Sequence, residues 1–342
     1  MGRSRKQRRQ RLCLAGLGGA LALAEAATAS GPAPPPPAPL LDRGHAAVGN
    51  QMVRFIESID QFFGDQEYDG LRNQSYLRVG PGLRIREGRT LAFKPRVRAN
   101  LQLPRTQRRV ALVLSGRDDN GDLLDDGTGQ NDDFAAALRA ALIDDPFNQV
   151  DLSVGSHFRP DPDPFAKIQF EWLNPFDRFA LRPAITGYWE LEEGFGERTR
   201  LDIDYRLSRA ALLRLRGVAN YGQSTSGVEF RTSVVYYYKR DETSAWQIQW
   251  KLSSQTRPRS EVTQTRGFVR YRWSMFRPWL FFEVEPGLRF RRQDDFRPAP
   301  ELTLRFEVVF MGSASGATSA RGGAETRGGP ARRRNGGAES VD

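Results

Sequence analysis

The side chains that could do chemistry in this sequence are charges spaced two residues apart. Arg78, Arg84, Lys94, Arg96, Arg98, Arg231, Arg270, Arg272, Arg289, Arg291 and Arg305 stand between apolar neighbours, as do Asp202, Asp204, Glu283, Glu285 and Glu307. Arg200, Arg206, Arg214, Arg216 and Glu229 share the pattern. A strand sends successive side chains to opposite faces, so each such segment has one charged wall and one greasy wall. If the charged walls face the inside of a barrel, two chemistries are open. The charges can line a water-filled pore in which an excess of Arg favours anions. They can instead pair across strands, since an uncompensated charge against a low-dielectric wall is costly. Pairing around a narrow residual pore is the expected balance.

Other chemistry is weakly represented. The chain has two histidines. His45 falls in a linker, and His157 shares the inward register of Gln149, Asp151 and Ser153. A lipid hydrolase needs its Ser and His on the membrane face, so no catalytic residue is assigned. Asp118, Asp119, Asp122, Asp125, Asp126, Asp132 and Asp133 surround Asn120 and Gly121. The spacing lacks the terminal Glu of a calcium loop, so it reads as a solvated acidic loop able at most to bridge divalent ions to lipopolysaccharide phosphates. No metal and no cofactor are expected. Trp172, Trp189, Trp246, Trp250, Trp273 and Trp279, with Tyr188, Tyr205, Tyr221 and Tyr236–Tyr238, fall mostly near segment ends and fit interfacial aromatic girdles.

The elements that must position these residues follow from periodicity. From Ser75 to Phe310 the apolar period is two almost without interruption, most clearly in the last hairpin. There Leu280, Phe282, Val284, Pro286, Leu288 and Phe290 are followed by Leu302, Leu304, Phe306, Val308 and Phe310. About ten residues per strand suits a tilted membrane crossing. Residues 134–143 read equally as a short helix or as a strand. As a strand they bring the total to about fourteen, which satisfies the even number of single-chain barrels and puts the long connection 118–133 on the extracellular side. Twelve strands is the alternative count. Pro81, Pro95, Pro183 and Pro286 lie on the lipid-facing register, and local bulges are expected there. A soluble β-sandwich also alternates, but with shorter strands.

The rest of the chain divides by composition. Residues 1–29 read as a signal peptide, with a basic start, an apolar run Leu12–Leu23 and the sequence Ala27-Thr28-Ala29. Residues 30–49 form a Pro-rich linker expected to be disordered. In 50–72, Met52, Phe55, Ile56, Ile59, Phe62 and Phe63 recur at three and four, the mark of an amphipathic helix. That helix could plug the barrel mouth, dock a partner or lie on the periplasmic rim, the rim being the expected placement. The barrel takes 73–311, and a Gly/Arg-rich tail 312–342 is expected to be disordered. The formal net charge of +10 is unevenly spread. Residues 1–29 hold six Lys/Arg against one acid, and 313–342 hold five Arg against three acids. A basic patch of the kind that binds nucleic acid is therefore absent from the central sequence.

The stretches WLFFEVEPGLRF (279–290), PELTLRFEVVF (300–310) and EGFGERTRLDIDYRL (193–207) resemble the uncharacterised outer-membrane β-barrel proteins of Gram-negative bacteria. The likeness spans residues 70–310. It implies a barrel fold and an outer-membrane location, and it carries no activity. Phe310 resembles the terminal aromatic of the assembly signal read by the barrel-insertion machinery, here followed by further chain. The expected protein is a monomeric, all-β transmembrane barrel among outer-membrane lipids and lipopolysaccharide. Its expected role is that of a passive, porin-like channel leaning towards anions. A non-conducting barrel that tethers partners is the second reading, and a lipid- or lipopolysaccharide-modifying enzyme the third.

Overall fold

The computed structural model describes residues 40–64, 74–87, 91–103, 106, 109–116, 134–145, 147–158, 161–225 and 227–311, with backbone alone for 40–50. The expected signal peptide, the acidic residues of loop 118–133 and the C-terminal tail lie outside them.

Fourteen antiparallel strands close into a barrel. They are β1 (Tyr76–Gly80 and Gly82–Arg86), β2 (Ala92–Phe93 and Arg96–Gln102), β3 (Val110–Gly116), β4 (Phe134–Asp144), β5 (Asn148–Phe158), β6 (Pro162–Trp172 with Asn174–Pro175) and β7 (Phe179–Glu190). The second half comprises β8 (Gly194–Arg206), β9 (Ala211–Gly222), β10 (Val228–Lys239), β11 (Ser244–Gln255), β12 (Glu261–Ser274), β13 (Leu280–Arg291) and β14 (Pro298–Met311). Each strand pairs with its sequence neighbours, and the seam closes where β14 meets β1, with Leu77 opposite Phe310 and Leu83 opposite Leu304. Full closure leaves no open edge, which a bilayer would not tolerate. Residues 134–143 form a strand. Their helix-prone alanines are overruled by an unbroken ladder on both sides, from Phe134 opposite Phe158 to Val110 opposite Ala140.

The alternation places charge inside and grease outside. Leu138, Val154, Leu201, Ile248 and Leu288 are outward and exposed, while Arg182, Asp202, Asp204, Arg214, Arg272 and Glu283 are inward and buried. The expected bulges at the prolines do not occur. Pro183 pairs with Leu201 and Pro286 with Leu302 inside unshifted ladders. Register is equally unchanged across Pro81 and Pro95. Each proline forfeits one N–H, yet its carbonyl can still accept, as Pro81 O does from Phe306 N–H at 3.1 Å. One lost bond between intact neighbours does not displace a strand. The register shifts fall instead near Ala141 and Ser253.

Among the described residues one long helix, α1 (Leu40–Phe63), begins ten residues before the periodic segment noted in the sequence. It does not lie on a rim. Met52, Ile56 and Ile59 are almost wholly buried among Leu173, Ala180, Leu212, Val235, Tyr237 and Ala245, all inward-facing at the end of the barrel that carries the short turns. Phe62 meets Phe281 edge-on at 5.7 Å and Phe63 meets Tyr237 at 5.2 Å. The helix is a plug because that end of the barrel offers it an apolar socket. Gln51, Arg54 and Gln61 stay exposed along one stripe of the helix.

β4 and β5 approach closely at Gly155. An ideal Cβ on Gly155 would stand 2.2 Å from Ala136 O and 2.7 Å from Ala137 Cα. Gly155→Val should therefore destabilise the barrel by about 1–3 kcal/mol through overpacking against backbone. Urea unfolding of the refolded protein, followed by tryptophan fluorescence, reads the loss; an unchanged midpoint would show that the two strands can part freely.

Candidate functional site

The site is the lumen, and it has three parts. The first is an ion cluster on the inner wall of β6–β9 that takes its central carboxylate from α1. Asp60 is fully buried and accepts from Arg214 twice, Nη1 to Oδ1 at 2.7 Å and Nη2 to Oδ2 at 3.1 Å. Arg182 Nη1 reaches the same Oδ2 at 3.4 Å. Behind them Asp204 holds Arg214 at 2.6 Å and Arg182 at 3.0 Å. Asp202 holds Arg216 at 2.6 Å and Arg200 at 3.4 Å, and Glu171 takes Arg200 at 2.7 Å. The two-residue spacing of β8 and β9 makes this arrangement possible: Asp202 stands opposite Arg216 and Asp204 opposite Arg214.

The second part is a mesh on β12–β14, β1 and β2. Glu283 bridges Arg272 and Arg305, the latter at 2.6 Å, and Glu307 bridges Arg272 at 2.6 Å, Arg96 at 3.4 Å and Arg78 at 3.5 Å. Glu285 accepts from Arg266 at 2.8 Å and Arg270 at 2.7 Å. Glu301 joins Arg266, Arg289 at 3.3 Å and Arg86 at 3.4 Å. Guanidiniums also lie over rings, Arg272 over Phe281 at 4.1 Å and Arg266 over Phe268 at 4.8 Å, which stabilises cations in a dry site. Arg78 and Arg98 donate to the last carbonyls of the helix segment, Gln61 O at 2.8 Å and Gly64 O at 3.1 Å. Cations at a helix C-terminus are favourable, so these bonds fasten the inner end of the plug.

The third part is open space. Towards the far end of the barrel a small, partly open cavity of about 70 Å³ is lined by Val113, Ser115, Ala137, Phe165, Thr186 and Tyr188, together with His157, Lys167 and Glu190. It exists because β3–β5 turn small side chains inward, while Tyr188 reaches across to Asn220 at 3.3 Å. His157 points inward, with Nε2 4.0 Å from Glu190 and its ring 4.6 Å from Phe165.

The charged residues singled out from the sequence occupy the inner face. Arg78, Arg84, Arg96, Arg270, Arg272, Arg305, Asp202, Asp204, Glu283, Glu285 and Glu307 are buried, and Lys94, Arg98, Arg231, Arg289 and Arg291 are partly so. The sequence alone missed Asp60, Arg182, Glu301 and the small-residue wall. Asp60 lay inside an apolar helical stripe, where a lone carboxylate was the signal. Outside, Trp172, Trp246, Trp273 and Trp279 gather at the short-turn end, joined by stacking of Tyr271 on Trp273 at 5.1 Å. Trp189 lies at the opposite end. Trp250 sits mid-strand rather than in a girdle, over Gly267, where an added Cβ would come within 2.4 Å of its ring. Tyr188 and Tyr237 face the lumen, as alternation with Trp189, Tyr236 and Tyr238 requires. Phe310 faces outward at the end of β14.

No protein-family model matches the chain, and no curated protein does. Among solved structures it is similar to a loop-deletion form of OmpT, an outer membrane protein of Vibrio cholerae. That match has 12% identity and a TM-score of 0.42, covering 69% of this chain and 98% of that one. It is also similar to the outer membrane channel DcaP of Acinetobacter baumannii, at 10% identity and a TM-score of 0.40, covering 69% and 96%. A third similarity, to the KdgM porin, has 8% identity and a TM-score of 0.35, covering 68% and 99%. The fold assignment rests on the closed strand pairing itself.

The mesh makes a stability prediction. Glu283→Gln removes the carboxylate shared by Arg272 and Arg305 and leaves two guanidiniums short of charge in a buried place. The expected cost is about 3–5 kcal/mol. Guanidinium chloride unfolding in detergent measures it, and a loss under about 1 kcal/mol would mean that water reaches Glu283 freely.

Proposed function

We propose that this protein is an outer-membrane channel of porin type whose arginine-rich lumen favours anions and whose conduction is limited at rest by α1. The observation that carries this is the charge imbalance of one inner wall. Across β12–β14, β1 and β2, Arg78, Arg84, Arg96, Arg266, Arg270, Arg272 and Arg305 are buried, against Glu283, Glu285, Glu301 and Glu307. A lumen lined in this way attracts anions and repels cations. The outward apolar surface and the aromatics at the short-turn end fit a bilayer. In this orientation α1 closes the periplasmic mouth, and the cavity beside β3–β7 is the extracellular vestibule. Lipid and lipopolysaccharide are the partners of the outer surface, Phe310 the mark read by the insertion machinery, and the monomer the working unit. A non-conducting structural barrel is the second reading, and the burial of α1 in the lumen favours it.

Planar-bilayer recording separates the two. The full chain should carry a small anion-selective current in a KCl gradient. The double substitution Met52→Glu/Ile59→Glu puts two charges into the apolar socket and should expel α1, raising conductance at least threefold. Cation selectivity would overturn the proposed role of the arginines. If both proteins are silent while their unheated gel mobility shows a folded barrel, the structural reading stands instead.

A further inference from the structure

Arg182 and Arg214 present what a carboxylate receptor needs. Arg214 offers two N–H groups to the two oxygens of one carboxylate, at 2.7 and 3.1 Å, and Arg182 adds a third contact at 3.4 Å. Both guanidiniums are held rigidly from behind by Asp204. A planar fork backed by fixed partners recognises carboxylates by shape as well as by charge. In this structure the carboxylate is Asp60, which belongs to a helix and not to the wall of the barrel.

Charge balance points the same way. Around this site Arg182, Arg200, Arg214 and Arg216 face Asp60, Glu171, Asp202 and Asp204. These eight side chains are neutral together while α1 is in place. Withdrawing the helix removes one negative charge and leaves the buried group at +1, an arrangement that a low-dielectric interior opposes. A single carboxylate from solution restores neutrality and the fork geometry together. Chloride restores the charge without the geometry.

The site lies on the same inner wall as the cavity, deeper in the barrel. On β7 the inward positions run Glu190, Tyr188, Thr186, Ala184 and Arg182. Thr186 lines the cavity, and Arg182 lies four residues deeper, about 13 Å along the strand. The single inward side chain between them on that strand is Ala184, and opposite it stand Arg200 and Glu171, paired at 2.7 Å, which a solute has to part to reach Arg182.

We propose that Arg182 and Arg214 form a carboxylate-binding site in the lumen, that Asp60 is its internal occupant, and that a carboxylate-bearing solute entering from the vestibule displaces Asp60 and releases α1. This names the solute class of the channel proposed above and rests on that reading for its consequence, though not for its binding chemistry. The plug then opens to the solutes that the arginine pair can recognise.

Helix release can be read without any current. Cys13 is the sole cysteine of the sequence and lies in the expected leader, so Met52→Cys in the leader-free protein gives one thiol buried in the socket. The barrel is refolded in lipid vesicles and treated with a bilayer-impermeant maleimide at constant ionic strength, in either sodium succinate or sodium chloride. Succinate should speed labelling at least tenfold over chloride, with saturation. Adding Asp60→Asn should give fast labelling in both salts, and adding Arg214→Lys should remove the advantage of succinate. Equal rates in succinate and chloride in the parent overturn the proposal even if Asp60→Asn fails to fold. Asp60→Asn labelling as slowly as the parent overturns it as well. Succinate-dependent labelling in a barrel that never conducts would defeat the channel reading and leave the carboxylate site standing; a steady current indifferent to succinate would do the reverse.

Discussion

The structure depends on neutralising charge inside a closed barrel. Alternation obliges every second residue of fourteen strands to face the lumen, and on most strands those residues are ionic. A wide barrel would leave them to water. Here the helix and the long side chains fill much of the bore, so the charges must satisfy one another. Few carboxylates are available, and each therefore serves several guanidiniums: Glu307 touches Arg78, Arg96 and Arg272, and Glu301 touches Arg86, Arg266 and Arg289. Bridges of this sort bind strands that are distant in sequence: β14, laddered only to β1 and β13, is also tied to β2 and β12 through Glu307.

The helix solves a second problem created by the same alternation. At the short-turn end several inward positions are apolar, among them Leu212, Val235, Tyr237, Ala245 and Phe281. Facing water they would be a liability. Burying them against Met52, Ile56, Ile59, Phe62 and Phe63 makes that end of the barrel a small hydrophobic core, favourable by roughly 25 cal/mol for each Å² of apolar surface removed from water. Asp60 is the one acidic side chain of α1 that is buried among the described residues, and it meets two arginines. Apolar contact holds the helix, and the ion contact sets its depth.

Much of this was legible in the sequence, because alternation is a strong signal when repeated fourteen times. Strand number, the strand at 134–143 and the inward register of the arginines all follow from a period of two and the requirement of an even count. The plug was harder to see. Its trace is a break in alternation: Leu212-Leu213, Val234-Val235 and Phe281-Phe282 put apolar residues on both faces at strand ends nearest the short turns. An inward face that turns greasy at one end needs something greasy to cover it, and the amphipathic helix was the available segment. Bulges at proline were expected from the cost of a lost hydrogen bond, but that cost is local, while register is set by all the pairs on either side. Asp60 could not be matched to its arginines from spacing, since the contact joins residues 122 and 154 positions apart.

The lumen is asymmetric, and this decides where its free volume lies. The wall of β12–β14, β1 and β2 is dense with long cations and their bridging glutamates. The wall of β3–β5 offers Ala111, Ala137, Ser153 and Gly155 instead. Long ionic side chains on one side and short ones on the other push the free volume off the barrel axis, to the place where the cavity lies. In the proposed channel an anion in that space would lie against the shorter side chains of this wall and face the cationic wall across the lumen. A conducting pore needs attraction of this diffuse kind, because a site that binds too well does not release. The arginines held most tightly by carboxylates stabilise the barrel. In the proposed channel the helix, seated against this wall, is the element that limits passage.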